Sequence, residues 1–355
     1  MLNSSTNESH ENSYNITHLD DSSSPITQKN QSLLIKTIAQ SINDGYLSGL
    51  YRITGVIVKI AKNGEPYVSI RLSDSTGDVH AVLWPERKSL NWNPPYRDSM
   101  NSCVYASGAV NYFSTSTNTN PANKKPIIVV NEIRLATEKE LDEAPALTTL
   151  PRLYCPNKDV FNKLINTARS LENPPLKRFV CRVLNQGQVF QTFLQAPAST
   201  KYHHSYPGGL VEHSVEVACI INNIELYRSP TEKELAIVGG LLHDVGKVRS
   251  YNSFGNMSLN GKLTDHNAQT LEICADALKE LDSDNYKLAE ALRHIWTCSS
   301  PGSRYGRPSK FAIAHVVSTA DRISAEFGNE NAAFASAPTN QNLAKLGQLE
   351  YCRLA

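Results

Sequence analysis

No run of apolar residues in this chain approaches the roughly 20 that a membrane-spanning helix needs. The first residues, MLNSSTNESHENSYN, have neither the basic start nor the apolar centre of a secretory signal. Charge of one sign is missing as well. The 35 Lys and Arg balance 34 Asp and Glu, so no global field draws the protein to a polyanion, and any nucleic-acid contact has to come from a local patch. Cysteine is sparse: seven scattered copies with no C-x-x-C pair exclude a disulfide framework or a zinc knuckle. They read as reduced thiols, and a cytoplasmic location without membrane contact is expected. What remains is an ordinary globular composition, 40% hydrophobic and 19% charged, in a chain of 355 residues, long enough for about two domains.

Residues 1–30 are rich in Ser, Asn and Thr, carry a net charge of −3 and hold too few apolar groups to offset their ordering entropy, so a disordered tail is expected there. Residues 31–50 contain one apolar-periodic stretch, a lead-in helix. Over 51–136 the period changes to two. YRITGVIVKI, YVSIRLSD, VHAVLW, CVYASGAVNYF and IIVVNEIRL read as five strands, separated by turn signals at Gly64/Pro66 and Asp74-Ser75-Thr76-Gly77. Between 51 and 135 ten basic residues face six acidic ones, an excess of +4. That excess, with Tyr67 and Trp84 on strands, suits a groove in which bases stack and phosphates meet cations. Strand alternation alone leaves open whether these aromatics face outward or fill the core. Lys62, Arg71, Lys124 and Lys125 are the candidate phosphate contacts.

The strand order, with Gly55, Asp74-Ser-Thr-Gly77 and Gly108, resembles an OB-type barrel. Residues 137–156 are acidic at first, contain Pro151 and read as a linker. From 157 to 327 apolar residues recur at i, i+3 and i+4 in segments bounded by Gly, Pro, Asn or Ser, which predicts an all-helical domain. The last stretch, 328–355, reads as a C-terminal tail. The expected class is therefore multidomain, an N-terminal all-β barrel followed by an all-α domain.

Seven of the ten histidines fall in the helical half. The sharpest signal is the run Leu241-Leu242-His243-Asp244-Val245-Gly246-Lys247, in which an apolar helix delivers an imidazole and a carboxylate together. Neighbouring residues on a helix point about 100° apart, so the two can share an ion only where the helix end aims at it. His213, His266, His294 and Asp321 follow the same logic at intervals of 30, 22, 28 and 27 residues, each about one helical hairpin. Mixed imidazole and carboxylate donors suit Mn, Fe, Ni, Co or Zn better than Mg.

This pattern, an upstream His, a His-Asp pair and a distal Asp, resembles the HD metal-dependent phosphohydrolase superfamily. The resemblance implies His213, His243, Asp244 and Asp321 as ligands, with His266 and His294 for a second ion, so one or two divalent ions are expected, manganese first. With the barrel in front and the segment Ala196–His213 (APASTKYHHSYPGGLVEH), the chain is similar to bacterial OB–HD 3′–5′ exoribonucleases. That similarity implies a nuclease acting on single-stranded RNA or DNA, with His203 and His204 near the scissile phosphate and Asp244 and Lys247 at the reacting centre. The likeness departs at His294-Ile295-Trp296, where the family carries a second histidine. The run PGGLVEH and Arg304 also resemble the HD domain of conjugative-element relaxases, which would act on DNA. An HD nucleotide phosphohydrolase is a further alternative. Arg293 and Arg304 are candidate backbone contacts under any nuclease reading, and homo-oligomerisation is compatible with all of them.

Overall fold

The computed structural model describes residues 36–84, 100–113, 125–187, 189–251, 256–298, 306–335 and 337–353. The tail expected over 1–30, and the candidate contacts Lys124 and Arg304, lie outside the described residues. Helix α1 (Ile38–Asp44) opens on a capping box between Thr37 and Gln40 and ends at Gly45, whose φ of 75° needs no side chain. Its first amide, Ile38 N–H, donates to Asp74 Oδ2 at 2.7 Å, while Asp74 Oδ1 accepts from Thr76 and Gly77. The turn read from Asp74-Ser-Thr-Gly77 thus also caps α1.

Five strands follow: β1 (Tyr46–Ile60), β2 (Pro66–Ser73), β3 (Asp78–Leu83), β4 (Cys103–Phe113) and β5 (Lys125–Leu135). They close into a barrel in the order β1-β2-β3-β5-β4, with only β3 and β5 parallel. The first strand is long enough to serve two neighbours, pairing β4 from Tyr46 to Arg52 and β2 from Arg52 to Ile60, with an irregularity between Ile53 and Gly55 where it bends. The barrel therefore begins at Tyr46, inside the segment expected as helix. Gly49 explains part of that miss, because it weakens the strand pattern, yet a Cβ there would press on Lys36 O and the Tyr51 hydroxyl. Leu47, Ile53, Ile70, Leu72, Val104 and Ile128 fill the interior.

The stretch expected as linker is packed. Helix α2 (Glu138–Glu143) is tied to the barrel by Arg134, which donates to both carboxylate oxygens of Glu140. Leu147, Thr148, Thr149 and Leu150 are buried; Ser75 N–H donates to Thr148 O and Arg152 N–H donates to Asp74 O. At the centre of this seam lies Arg52, only 2% exposed, donating to the carbonyls of Asn101, Thr149 and Asn185. Its charge is spent on the junction and is withdrawn from the excess counted on the barrel.

The helical half comprises α3 (Lys158–Ser170), α4 (Pro174–Leu184), α5 (Val189–Gln195), α6 (Gly209–Asn222), α7 (Pro230–Leu242), α8 (Lys247–Ser250), α9 (Leu259–Leu263), α10 (His266–Ile273), α11 (Ala275–Thr297) and α12 (Ala312–Phe334). Proline in the first turn and an Asn or Ser cap start α4 and α7. Helix α11 breaks its helical geometry at Asn285. Helix α12 continues past residue 327, and a hairpin of β6 (Leu343–Leu346) and β7 (Leu349–Cys352) packs against it, so the stretch expected as a tail is structured over 328–335 and 337–353. Among the described residues no helix is long and apolar enough to cross a membrane.

Candidate metal centre

Three helices bring the site together. Helix α6 carries His213, α7 ends at His243, and α12 carries Asp321 at mid-length. Helices α6 and α7 lie close because Gly240 leaves room for Ile221; a Cβ there would overlap the Ile221 Cδ1 methyl. Asp244 follows His243 in a tight turn, and Gly246 lets α10 pack against that turn, since a Cβ would overlap His266 O and sit 2.8 Å from Thr270 Oγ1. Thr270 closes the junction, accepting from Gly246 N–H at 3.0 Å and donating to His243 O at 3.2 Å.

The donor atoms converge. One ligand atom each from His213, His243 and Asp244 lie within 4.8 Å of one another. Asp321 Oδ1 is 3.1 Å from His213 Nε2 and 3.5 Å from His243 Nε2, and Asp244 Oδ2 is 3.7 and 3.4 Å from the same two nitrogens. Both Nε2 atoms are buried and have no hydrogen-bond partner among the described residues. Buried ring nitrogens facing two carboxylates without a bonded proton fit a cation between them. His243 Nδ1 lies 2.7 Å from Gly240 O, which can only accept; the ring proton therefore sits on Nδ1 and the Nε2 lone pair faces the site.

Electrostatics run the same way. Burial alone would raise Asp244, but Lys247 and the surrounding histidines outweigh it and hold this carboxyl well below the usual range. Asp321 is likewise held low against burial by His213 and His243. Burial opposes charge on His243, yet the two carboxylates win and lift it to about 9, so without a cation the cluster takes up a proton in its place. For His213 burial dominates and lowers the pKa.

His266 lies on the rim, its Nε2 3.4 Å from the other oxygen of Asp244. Lys247 Nζ is 2.6 Å from Asp244 Oδ2. His203 and His204 pack tilted against His213, with ring centroids 5.1 and 5.4 Å away. Burial first, then His213 and Lys247, lower His203 to about 4. His294 is not part of the cluster: its Nε2 accepts Lys310 N–H at 2.8 Å and its ring packs edge-on against Phe311. Arg293 is also withdrawn, because both ends of its guanidinium pair with Asp282 and Glu290. His315 is exposed and lines the cleft with Asn267, Ile295 and Arg322. That cleft holds about 430 Å³ and exposes His243, Asp244, Lys247, His266 and Asp321 to solvent-borne ligand.

On the barrel, register settles which face the aromatics occupy. Ile70 and Leu72 point inward, so Tyr67, Ser69 and Arg71 point outward. Lys59 pairs with Tyr67, and Trp84 follows Leu83, whose partner is Val68, so Lys59, Tyr67 and Trp84 form one outer row. The rings of Tyr67 and Trp84 stack with centroids 4.9 Å apart. Two rows along the same face, Arg71 stands between Gly55 and His80 and reaches Asp78 at 3.5 Å. Lys62, in the β1–β2 turn, and Lys125 are exposed.

Residues 210–326 match the family model described as HD domain. This region is an HD domain. Three curated relatives share sequence well beyond it, each named 3′–5′ exoribonuclease YhaM. The protein from Shouchella clausii is 29% identical over 292 residues, covering 80% of this chain and 83% of that one. Those from Bacillus pumilus and Bacillus subtilis are 26% and 24% identical, each covering 70% of this chain and 74% of theirs. Among solved structures, an aspartyl-tRNA synthetase from Entamoeba histolytica aligns with a TM-score of 0.23 and 10% identity, covering 74% of this chain and 58% of that one. An HD domain implies a divalent metal, and the buried, unbonded nitrogens described above are consistent with it. Sequence reasoning missed Glu216 and Ser324, which contact the histidines of the HD domain from behind. Their signal was positional: each stands three residues after a candidate ligand on the same helix, Glu216 after His213 and Ser324 after Asp321.

Proposed function

We propose that this HD protein is a metal-dependent 3′–5′ exoribonuclease that draws single-stranded RNA across its barrel into the HD cleft. One observation carries the chemistry. His213 Nε2 and His243 Nε2 are buried, unbonded and aimed with Asp244 and Asp321 at a common point. The substrate class is supported by three relatives named as exoribonucleases and by the stacked Tyr67–Trp84 pair on a basic outer face.

In this reading His213, His243, Asp244 and Asp321 would hold a divalent ion, manganese in the first instance, and His266, 3.4 Å from Asp244 Oδ1, would serve a second. Such an ion supplies Lewis acidity toward the phosphoryl group and toward water. The chain's own residues do the rest. Lys247 neutralises one oxygen of Asp244 and leaves the other facing His266. With a pKa near 4, His203 is neutral at pH 7 and offers a phosphate an N–H without surrendering a proton. Tyr67 and Trp84 present π-faces to unpaired bases, and Lys59, Lys62, Arg71 and Lys125 present cations to the backbone. A cytoplasmic location fits the free cysteines.

The test is degradation of 5′-labelled single-stranded RNA with Mn²⁺ by wild type and by the double variant H243A/D244A. Stepwise shortening by wild type, lost by at least about 10³-fold in the variant, is expected. Absence of shortening with Mn²⁺, Fe²⁺, Co²⁺, Ni²⁺ or Mg²⁺ would overturn the assignment. Equal or faster loss of single-stranded DNA would move the substrate from RNA to DNA.

A further inference from the structure

Glu216 is one oxygen away from two histidines of the centre. Its Oε2 lies 2.7 Å from Ser324 Oγ and 3.1 Å from His204 Nε2, and Ser324 Oγ in turn lies 2.9 Å from His213 Nδ1. A carboxylate only accepts, so the Ser324 hydroxyl donates to Glu216 and its oxygen accepts from His213 Nδ1–H. That chain of bonds leaves the His213 proton on Nδ1 and its Nε2 lone pair facing Asp244 and Asp321. Without it, the proton is free to move to Nε2 and block the donor that an ion needs.

The second arm of Glu216 holds His204. This histidine is 4% exposed and sits at φ 50°, a left-handed conformation that strains a residue carrying a Cβ. Its carbonyl accepts from Ala198 N–H at 3.0 Å. Gly209 and Gly328 make the space: a Cβ on Gly209 would overlap His204 O, and one on Gly328 would lie 2.9 Å from His204 Nδ1 and Cε1. A strained backbone, two close glycines and one shared carboxylate oxygen fix the ring that packs tilted against His213.

We propose that Glu216 is a positioning residue of the HD centre, setting the tautomer of His213 through Ser324 and the seat of His204 directly; the proposal rests on the metal-dependent reading above. Helix α6 then supplies the ligand His213 and, one turn later, Glu216, while α12 supplies Asp321 and, one turn later, the Ser324 that links Glu216 to His213. Glu216 keeps 43% of its side chain exposed, so truncating it leaves no hole in the core.

The experiment is calorimetric titration of Mn²⁺ into the full chain as wild type, S324A, E216A, E216Q and S324A/E216A, with melting of each protein in EDTA. S324A and E216A are expected to lose about 10- to 100-fold in Mn²⁺ affinity. E216Q, whose amide oxygen can take the place of Oε2, should recover most of it, and the double variant should be no weaker than the weaker single one. The metal-free melting temperature of E216A should stay at the wild-type value, a result that a purely structural role would not give. Should S324A fail to fold, E216A against E216Q decides. Wild-type affinity in S324A and E216A would overturn the proposal while leaving the metal centre intact. A wild type that binds no Mn²⁺ would instead overturn the metal-dependent reading, and this inference with it.

Discussion

The guanidinium of Arg52 lies 4.5 Å from the centroid of the Phe190 ring, so a barrel residue stacks on a helix of the HD half. The same group donates to three carbonyls from three segments, at Asn101, Thr149 and Asn185, and has no carboxylate partner among the described residues. Replacing Arg52 by Ala leaves those carbonyls short of donors and is expected to cost about 3 kcal/mol. Lys, a point charge on a flexible stem, should recover only a minor part. Urea unfolding followed by fluorescence and circular dichroism checks this: R52A should separate a barrel transition from the helical one. A single transition at the wild-type midpoint would refute it.

Gly246 has ordinary helical angles, φ −56° and ψ −27°, so an alanine there meets no backbone penalty. Its Cβ meets His266 O and Thr270 instead. G246A is expected to destabilise by about 1–3 kcal/mol through overpacking and to push α10, with His266, away from Asp244. Thermal melting together with Mn²⁺ affinity measures both effects. A stabilised G246A with full affinity would show that the junction yields freely.

The Arg134–Glu140 pair couples stability of the barrel–linker corner to acid. Its hydrogen bonds to Arg134 lower Glu140 from 4.5 to about 2. A carboxylate with a depressed folded pKa contributes stability above its unfolded pKa and loses it as pH falls through the folded value. The window is therefore about pH 4.5 down to 2. Arg134 is 39% exposed, so solvent screening leaves about 1 kcal/mol. The difference in stability between wild type and E140Q, measured by urea unfolding, should be present at pH 6 and vanish at pH 2. A difference independent of pH would contradict the assignment.

Stacking on the barrel predicts a separable effect on binding. Y67A and W84A should each weaken single-stranded RNA affinity by about 1–3 kcal/mol, while K62A and K125A should mainly flatten its salt dependence. Fluorescence anisotropy across a salt series, with EDTA present to suppress cleavage, distinguishes the two. Mn²⁺ affinity should be untouched in all four variants, because these side chains lie on the barrel. Unchanged RNA affinity in Y67A and W84A would assign the platform another role.

The motif around His243-Asp244 and its distant companions His213 and Asp321 were legible because residue type and spacing carry their chemistry directly. His294 was read the same way and does not join them. A local pattern cannot report that Lys310, sixteen residues later, donates to its Nε2. Arg293 failed similarly, since its partner Asp282 sits across the break at Asn285. Arg52 was counted as barrel charge, and only the docking of the two halves showed that it is buried.

By itself the sequence determined the five-strand and many-helix division, the turn at Asp74 and which imidazole and carboxylate residues are candidate metal donors. Those follow from short-range periodicity, turn chemistry and the few side chains that bind transition metals. Tertiary structure decided which donors share a point, which face of β2 carries Tyr67, where the first strand begins and that Glu216 and Ser324 stand behind His213. These depend on helices brought together across about a hundred residues of chain, on strand register and on glycines that admit a neighbour's backbone, and none of that is written in any one segment.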